Sequence, residues 1–195
     1  YGTYGVTRYL FNPKDGLHGH DLFAIDLQRG RDHGVRSYAD YVRYYTGLNL
    51  TSFDDLYNYN LMPKETADIY ADLYDDVQDI DLFSAGISEH PVPGTAIGPT
   101  FGCIVADMFQ KLKLGDRFYY EHGDQVGSFT EDKQLQSLRE TTFAKIICEN
   151  IGGSYKLRSN VFNAESTENP TVDCADIPDI DLQLWKDEVG PGSSS

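Results

Sequence analysis

Apolar positions recur along most of the chain at helical rather than alternating spacing. Leu22 and Ile25 fall with Asp26 and Arg29 at i, i+3, i+4 and i+7, behind Asp21, which can cap the first turn. Residues 38–45 predict a second short helix ending at Gly47, and residues 54–59 and 64–73 a third and fourth, the last entered through Pro63. Ile97, Phe101, Ile104, Val105, Met108 and Leu112 trace a longer stripe that starts near Pro99 and stops at Gly115. Leu135, Leu138, Phe143, Ile146 and Ile147 trace one more helix, opened by Thr130 with Glu131 and Asp132 in its first turn and ended by Gly152 and Gly153. No strand pattern of comparable length occurs, although residues 117–120 could form a short extended piece. The expected class is mainly α, with residues 189–195, rich in Gly, Pro and Ser, as a flexible tail.

The length of 195 residues, with 40% hydrophobic and 13% aromatic side chains, is enough for a packed core. No apolar run reaches the roughly 18 residues that a membrane-spanning helix needs. The first ten residues lack an initiator Met and a signal-peptide pattern, so the chain reads as the interior of something longer. Its 31 acids against 16 bases, net -15, argue against nucleic acid as a partner, because a phosphate-binding face needs clustered Lys and Arg. The excess is local. Residues 54–81 hold nine acids and one base, and residues 163–188 hold eight acids and one base. The first stretch lacks the spacing of a calcium-binding loop and reads as a solvated acidic face. Residues 1–53, around Asp26 and Arg29, net only +1.

Three cysteines, Cys103, Cys148 and Cys174, form no C-x-x-C pair, which speaks against a structural zinc site. A bridge between Cys148 and Cys174 would clip a loop-rich C-terminal segment and contribute about 3–4 kcal/mol. Cys103 lies on the apolar stripe of its helix and reads as a buried free thiol. Asn49-Leu50-Thr51 is a glycosylation sequon in a predicted loop. Together these features favour an extracellular, secreted chain.

The richest segment chemically runs from Asp21 to Gly34. A helix face that mixes Leu22 and Ile25 with Asp26 and Arg29 buries charges, which is costly unless each finds a partner. Two readings stand side by side: an Asp26–Arg29 ion pair, or a carboxylate accepting from a buried donor beside a guanidinium that holds an anionic ligand. Gly34 can take a left-handed cap at the helix end.

The string Asp-Leu-x-x-x-Asp-Leu-Gln-Arg-Gly-Arg-Asp-His-Gly, followed by Ser37-Tyr38-Ala39-Asp40-Tyr41, resembles the signature helix of the animal haem peroxidases. The similarity continues through residues 80–89, Gly98-Pro99-Thr100, Gly115-Asp116-Arg117-Phe118, Ile146-Ile147-Cys148-Glu149-Asn150 and Asp181-Leu182-x-x-Trp185. It therefore covers roughly residues 3–188, and residues 1–188 are expected to be the C-terminal helical part of such a domain. The resemblance implies haem as cofactor, hydrogen peroxide as oxidant, and phenolic, tyrosine or halide electron donors. It implies that Arg29 pairs with a haem propionate, that Leu22 and Ile25 line the haem edge, and that Cys148 and Cys174 form a family disulfide. Cys103 matches half of another bridge whose second position here is Thr46.

Asp26 matches an asparagine that, in the family, accepts from the proximal histidine on the haem iron. The proximal and distal histidines, the distal arginine, the haem-ester carboxylates and the calcium site fall N-terminal to this segment in the family. None of His18, His20, His33, His90 and His122 matches an axial ligand, and no metal ligand is assigned in this chain. Alone, the chain is expected to be catalytically incomplete, with the remainder of its own domain, hydrogen peroxide and a small reducing substrate as its partners. The alternative is a non-catalytic, peroxidase-like adhesion module; the Arg-Gly-Asp and Lys-Gly-Asp tripeptides read by integrins are absent.

Overall fold

The computed structural model describes residues 4–14, 16, 18–123, 125, 128–129, 132–151 and 155–186. The chain divides into two compact units, residues 1–112 and 113–195. Both are mainly helical, as the apolar spacing predicts.

In the first unit, α1 (Tyr4–Thr7) precedes α2 (Leu22–Asp32), which opens where Asp21 Oδ1 accepts from the Ala24 N–H at 3.2 Å. Ser37 caps α3 (Tyr38–Thr46), and Gly47 ends it with φ of 75°, a left-handed position that glycine adopts without Cβ strain. α4 (Asp54–Asn58), α5 (Lys64–Leu73) and α6 (Leu82–Ser88) follow. α7 (Pro99–Gly115) begins in this unit at Pro99. The core lies between α3 and the α4–α6 segment. Tyr38, Ala39 and Val42 from α3 meet Leu50, Leu56, Leu61, Met62, Ala67, Tyr70, Val77, Ile80 and Ala85. Burying this apolar surface is the main stabilising force of the unit.

In the second unit, one expected helix is two: α8 (Asp132–Glu140) and α9 (Phe143–Ile151). The break is chemical. Thr141 turns back to the Leu138 carbonyl, and Thr142 Oγ1 accepts the Lys145 N–H as the cap of a new helix. Thr130, Glu131, Gly152, Gly153 and residues 189–195, which carry the expected helix opener, terminator and tail, lie outside the described residues. Residues 117–120 are not extended. Asp116 Oδ1 accepts from the Phe118 N–H and the Asp116 carbonyl from the Tyr119 N–H, which makes a turn. The strands lie elsewhere: β1 (Lys156–Arg158) pairs antiparallel with β2 (Thr171–Asp173). The Cys148–Cys174 disulfide joins α9 to the end of β2, with Cα atoms 5.7 Å apart. Gln134 Nε2 donates to the Leu184 carbonyl at 2.8 Å, and the Asp181 N–H donates to Ser137 Oγ at 2.9 Å, docking the last turn onto α8.

Candidate functional site

Rather than burying charge, α2 has no buried residue among the described ones. The reason is its azimuth. Successive residues of a helix advance by about 100°, so Phe23, Leu27 and Arg31 share a side that Leu22, Ile25 and Arg29 do not. Phe23 packs on Phe83 of α6, ring centroids 6.1 Å apart. Leu22, Ile25, Asp26 and Arg29 consequently form an outer row: Leu22 and Asp26 half-buried, Ile25 38% exposed and Arg29 exposed. No ion pair within 4.0 Å joins Asp26 to Arg29, and neither side chain has an ionic partner among the described residues.

Beside this row, Asp26, Leu27, Gly30, Val35, Asp81, Leu82, Phe83 and Phe101 line a cleft of about 230 Å³. The end of α2 is closed by His33, whose backbone N–H and Nδ1–H both donate to the Arg29 carbonyl, at 3.1 and 2.9 Å. Gly34 follows at φ 64°, as its place after the helix predicts.

Three arrangements were not legible in the sequence. Arg31 grips Asp81 with two bonds, Nε to Oδ1 at 3.0 Å and a terminal nitrogen to Oδ2 at 2.6 Å, while the Tyr74 hydroxyl donates to the same carboxylate at 2.8 Å. Those donors hold the Asp81 carboxyl below its ordinary value against the effect of burial. Asp55 likewise accepts from the Thr51 N–H and hydroxyl and the Ser52 N–H. Two of the nine acids between residues 54 and 81, Asp55 and Asp81, are therefore half-buried in such contacts; the other seven are exposed.

The second arrangement is a buried polar cluster. Glu89 accepts from the Tyr38 hydroxyl at 2.7 Å, from Thr100 Oγ1 at 2.6 Å and from the Thr100 N–H at 2.9 Å. It ties α3, the end of α6 and the start of α7 together. The third is Glu121, held by Lys113 and by Arg139, the latter at 2.8 Å. All three involve partners distant in sequence, and only the family resemblance marks the segments that carry them.

Cys103 carries a free thiol that is half-buried rather than buried, because the stripe of α7 is covered only near Phe101 and Ile104. Val105, Met108, Phe109 and Leu112 are exposed. Asn49 is exposed in the loop after α3. No group of three or more His, Cys, Asp or Glu residues suited to a metal ion occurs among the described residues. None of the described helices is long and apolar enough to cross a membrane.

Comparison with known proteins places this geometry in context. Residues 2–162 match the animal haem peroxidase family. The chain is 36% identical over 183 residues to a peroxidase of Drosophila melanogaster, covering 94% of this chain and 26% of that protein. It is 38% identical to peroxidase-like protein 3 of Lottia gigantea, covering 85% of this chain and 53% of the relative, and 38% identical to the human peroxidasin homolog, covering 86% and 11%. Among solved structures, peroxidase A from Dictyostelium discoideum superposes with a TM-score of 0.57 at 30% identity, over 76% of this chain and 27% of its own. The chain thus spans between about a tenth and a half of the length of these curated relatives. With its signature helix, its mainly helical architecture and these matches over most of its length, the chain belongs to the animal haem peroxidase family.

Proposed function

We propose that the outer row of α2 is one wall of a haem site, completed by the remainder of the same peroxidase domain, in a secreted, hydrogen peroxide-dependent oxidoreductase. The observation that carries this reading is the row itself: two apolar side chains, a carboxylate and a guanidinium lie along one side of a helix, and neither charge has an ionic partner among the described residues. That set fits the edge of a flat, apolar, dianionic group. When bound, haem supplies cleavage of the peroxide O–O bond and storage of the oxidising equivalents that a reducing substrate then fills.

Within that site, Arg29 holds a propionate with its planar, bidentate donor fork. Leu22 and Ile25 exclude water from the ring edge. Asp26 accepts the ring N–H of a histidine supplied by the remainder of the domain, fixing that ring's orientation and raising its basicity. A full carboxylate makes a stronger bond than an amide. It shifts the balance toward organic, phenol-like donors and away from chloride. The exposed Val105, Met108, Phe109 and Leu112 then meet the remainder of the domain. The disulfide and the exposed Asn49 support secretion with glycosylation at Asn49. Two measurements test the reading. The 195-residue chain titrated with haemin gives no sharp Soret band with peroxide-dependent turnover, whereas the complete protein gives both and oxidises a phenol far faster than chloride. Strong chlorination at neutral pH, or full activity of the isolated chain, contradicts it.

A further inference from the structure

Two attachments hold α2 against the α6 region, one near each end, while α1 also lies against it. Near the start, Phe23 meets Phe83 at 6.1 Å and Leu27 is half-buried in the same region. At the end is the double bond from Arg31 to Asp81. Since no residue of this helix is buried, packing alone restrains its rotation weakly, and the second attachment carries unusual weight. Asp81 is well placed to receive it. Its side chain is only 14% exposed, and its backbone bridges Ser37 at the entrance to α3. It directly follows Ile80, which is wholly buried and accepts the Tyr38 N–H at 2.9 Å. Tyr74, the residue that ends α5, steadies the carboxylate. Asp81 is in effect a rigid point of the core, and Arg31 is the only side chain of α2 with an ion pair among the described residues.

From these observations we infer that Arg31 and Asp81 are positioning residues for the outer row of α2: their planar, two-bond contact fixes the rotation of the helix and so the direction in which Asp26 and Arg29 point. Arg31 lies two residues beyond Arg29 and five beyond Asp26, about half a turn and somewhat over one turn away. A single-point contact of a lysine at position 31 keeps the charge but loses the planar registration. This inference rests on the haem-facing reading of the row, and its test separates the two.

The first arm needs no haem. Amide hydrogen exchange is followed in the 195-residue chain, wild type against Arg31→Lys and Asp81→Asn. The expected result is exchange at least about tenfold faster in residues 26–32, with the amides of α3 and α5 unchanged. The second arm measures haem retention of the complete protein carrying Arg29→Gln, Arg31→Lys or both. Arg31→Lys lowers retention, and the double variant loses less than the sum of the two single losses, because part of the effect of Arg31 passes through Arg29. Uniform acceleration of all amides, or none, overturns the inference while leaving the haem reading intact. Local acceleration without any change in haem retention shows a purely structural tie and also overturns it. A complete wild-type protein that binds no haem defeats the haem reading instead, and with it the purpose assigned to the pair.

Discussion

Tyr38 donates its hydroxyl to Glu89 across 51 residues of sequence at 2.7 Å, and both side chains are almost wholly withdrawn from solvent. Glu89 has no cationic partner among the described residues; the Tyr38 hydroxyl and two donors of Thr100 satisfy it instead. Burial, with the neighbouring carboxylate, pushes the Tyr38 phenol far above its ordinary range. Tyr38→Phe removes one of three donors to a buried charge and is expected to destabilise the first unit by about 1–3 kcal/mol. Urea denaturation measures this. In an alkaline titration followed by ultraviolet absorbance, Tyr38 should ionise only as the unit unfolds.

Glu89 also leaves no room beside it. A Cβ placed on Gly98 falls on the Glu89 side chain, at the entrance to α7. Gly98→Ala should therefore cost more than the usual surface change, about 1–3 kcal/mol as an overpacking effect. Gly102→Ala, inside α7 where added bulk meets nothing, should be neutral or mildly stabilising. Comparing the two melting temperatures checks the claim.

The disulfide closes a 26-residue separation around the small β1–β2 sheet. A chain carrying both Cys148→Ser and Cys174→Ser should lose about 3–4 kcal/mol of stability in residues 113–195 on the chain-entropy account. Residue-resolved hydrogen exchange reports the loss unit by unit, and the amides of β1 and β2 should be among those most affected.

Glu121 gives the second unit an acid-sensitive contact. Lys113 and Arg139 together lower its carboxyl from 4.5 to about 2. A folded-state value below the unfolded one means the contribution is fully present above pH 4.5 and is lost as pH falls toward 2. The melting temperature of wild type should exceed that of Glu121→Gln at pH 6, and the gap should close between pH 4.5 and 2.

Helix spacing and capping made the first unit readable. Asp21, Ser37, Gly47 and Pro63 act within one turn of themselves, so local rules locate their helices. The second unit was less legible, because Thr141 and Thr142 interrupt an apolar stripe that continues across them. The site was legible in its residues but not in its exposure. The i, i+3, i+4, i+7 row of Leu22, Ile25, Asp26 and Arg29 looks like a buried face. Which side of α2 meets α6 is decided by Phe83 and Asp81, 60 and 50 residues beyond the Phe23 and Arg31 they meet. Arg31–Asp81 and Tyr38–Glu89 depend on the same long-range closure, and no local pattern announces them.

The central claim, that Asp26 and its row face a haem whose iron carries a histidine from the remainder of the domain, is tested most directly by resonance Raman spectroscopy of the complete ferrous protein. The iron–histidine stretching frequency of Asp26→Asn should fall below that of wild type, because an amide accepts a weaker hydrogen bond from the imidazole N–H than a carboxylate does. An identical frequency in the two proteins would place Asp26 away from the axial histidine and contradict the account.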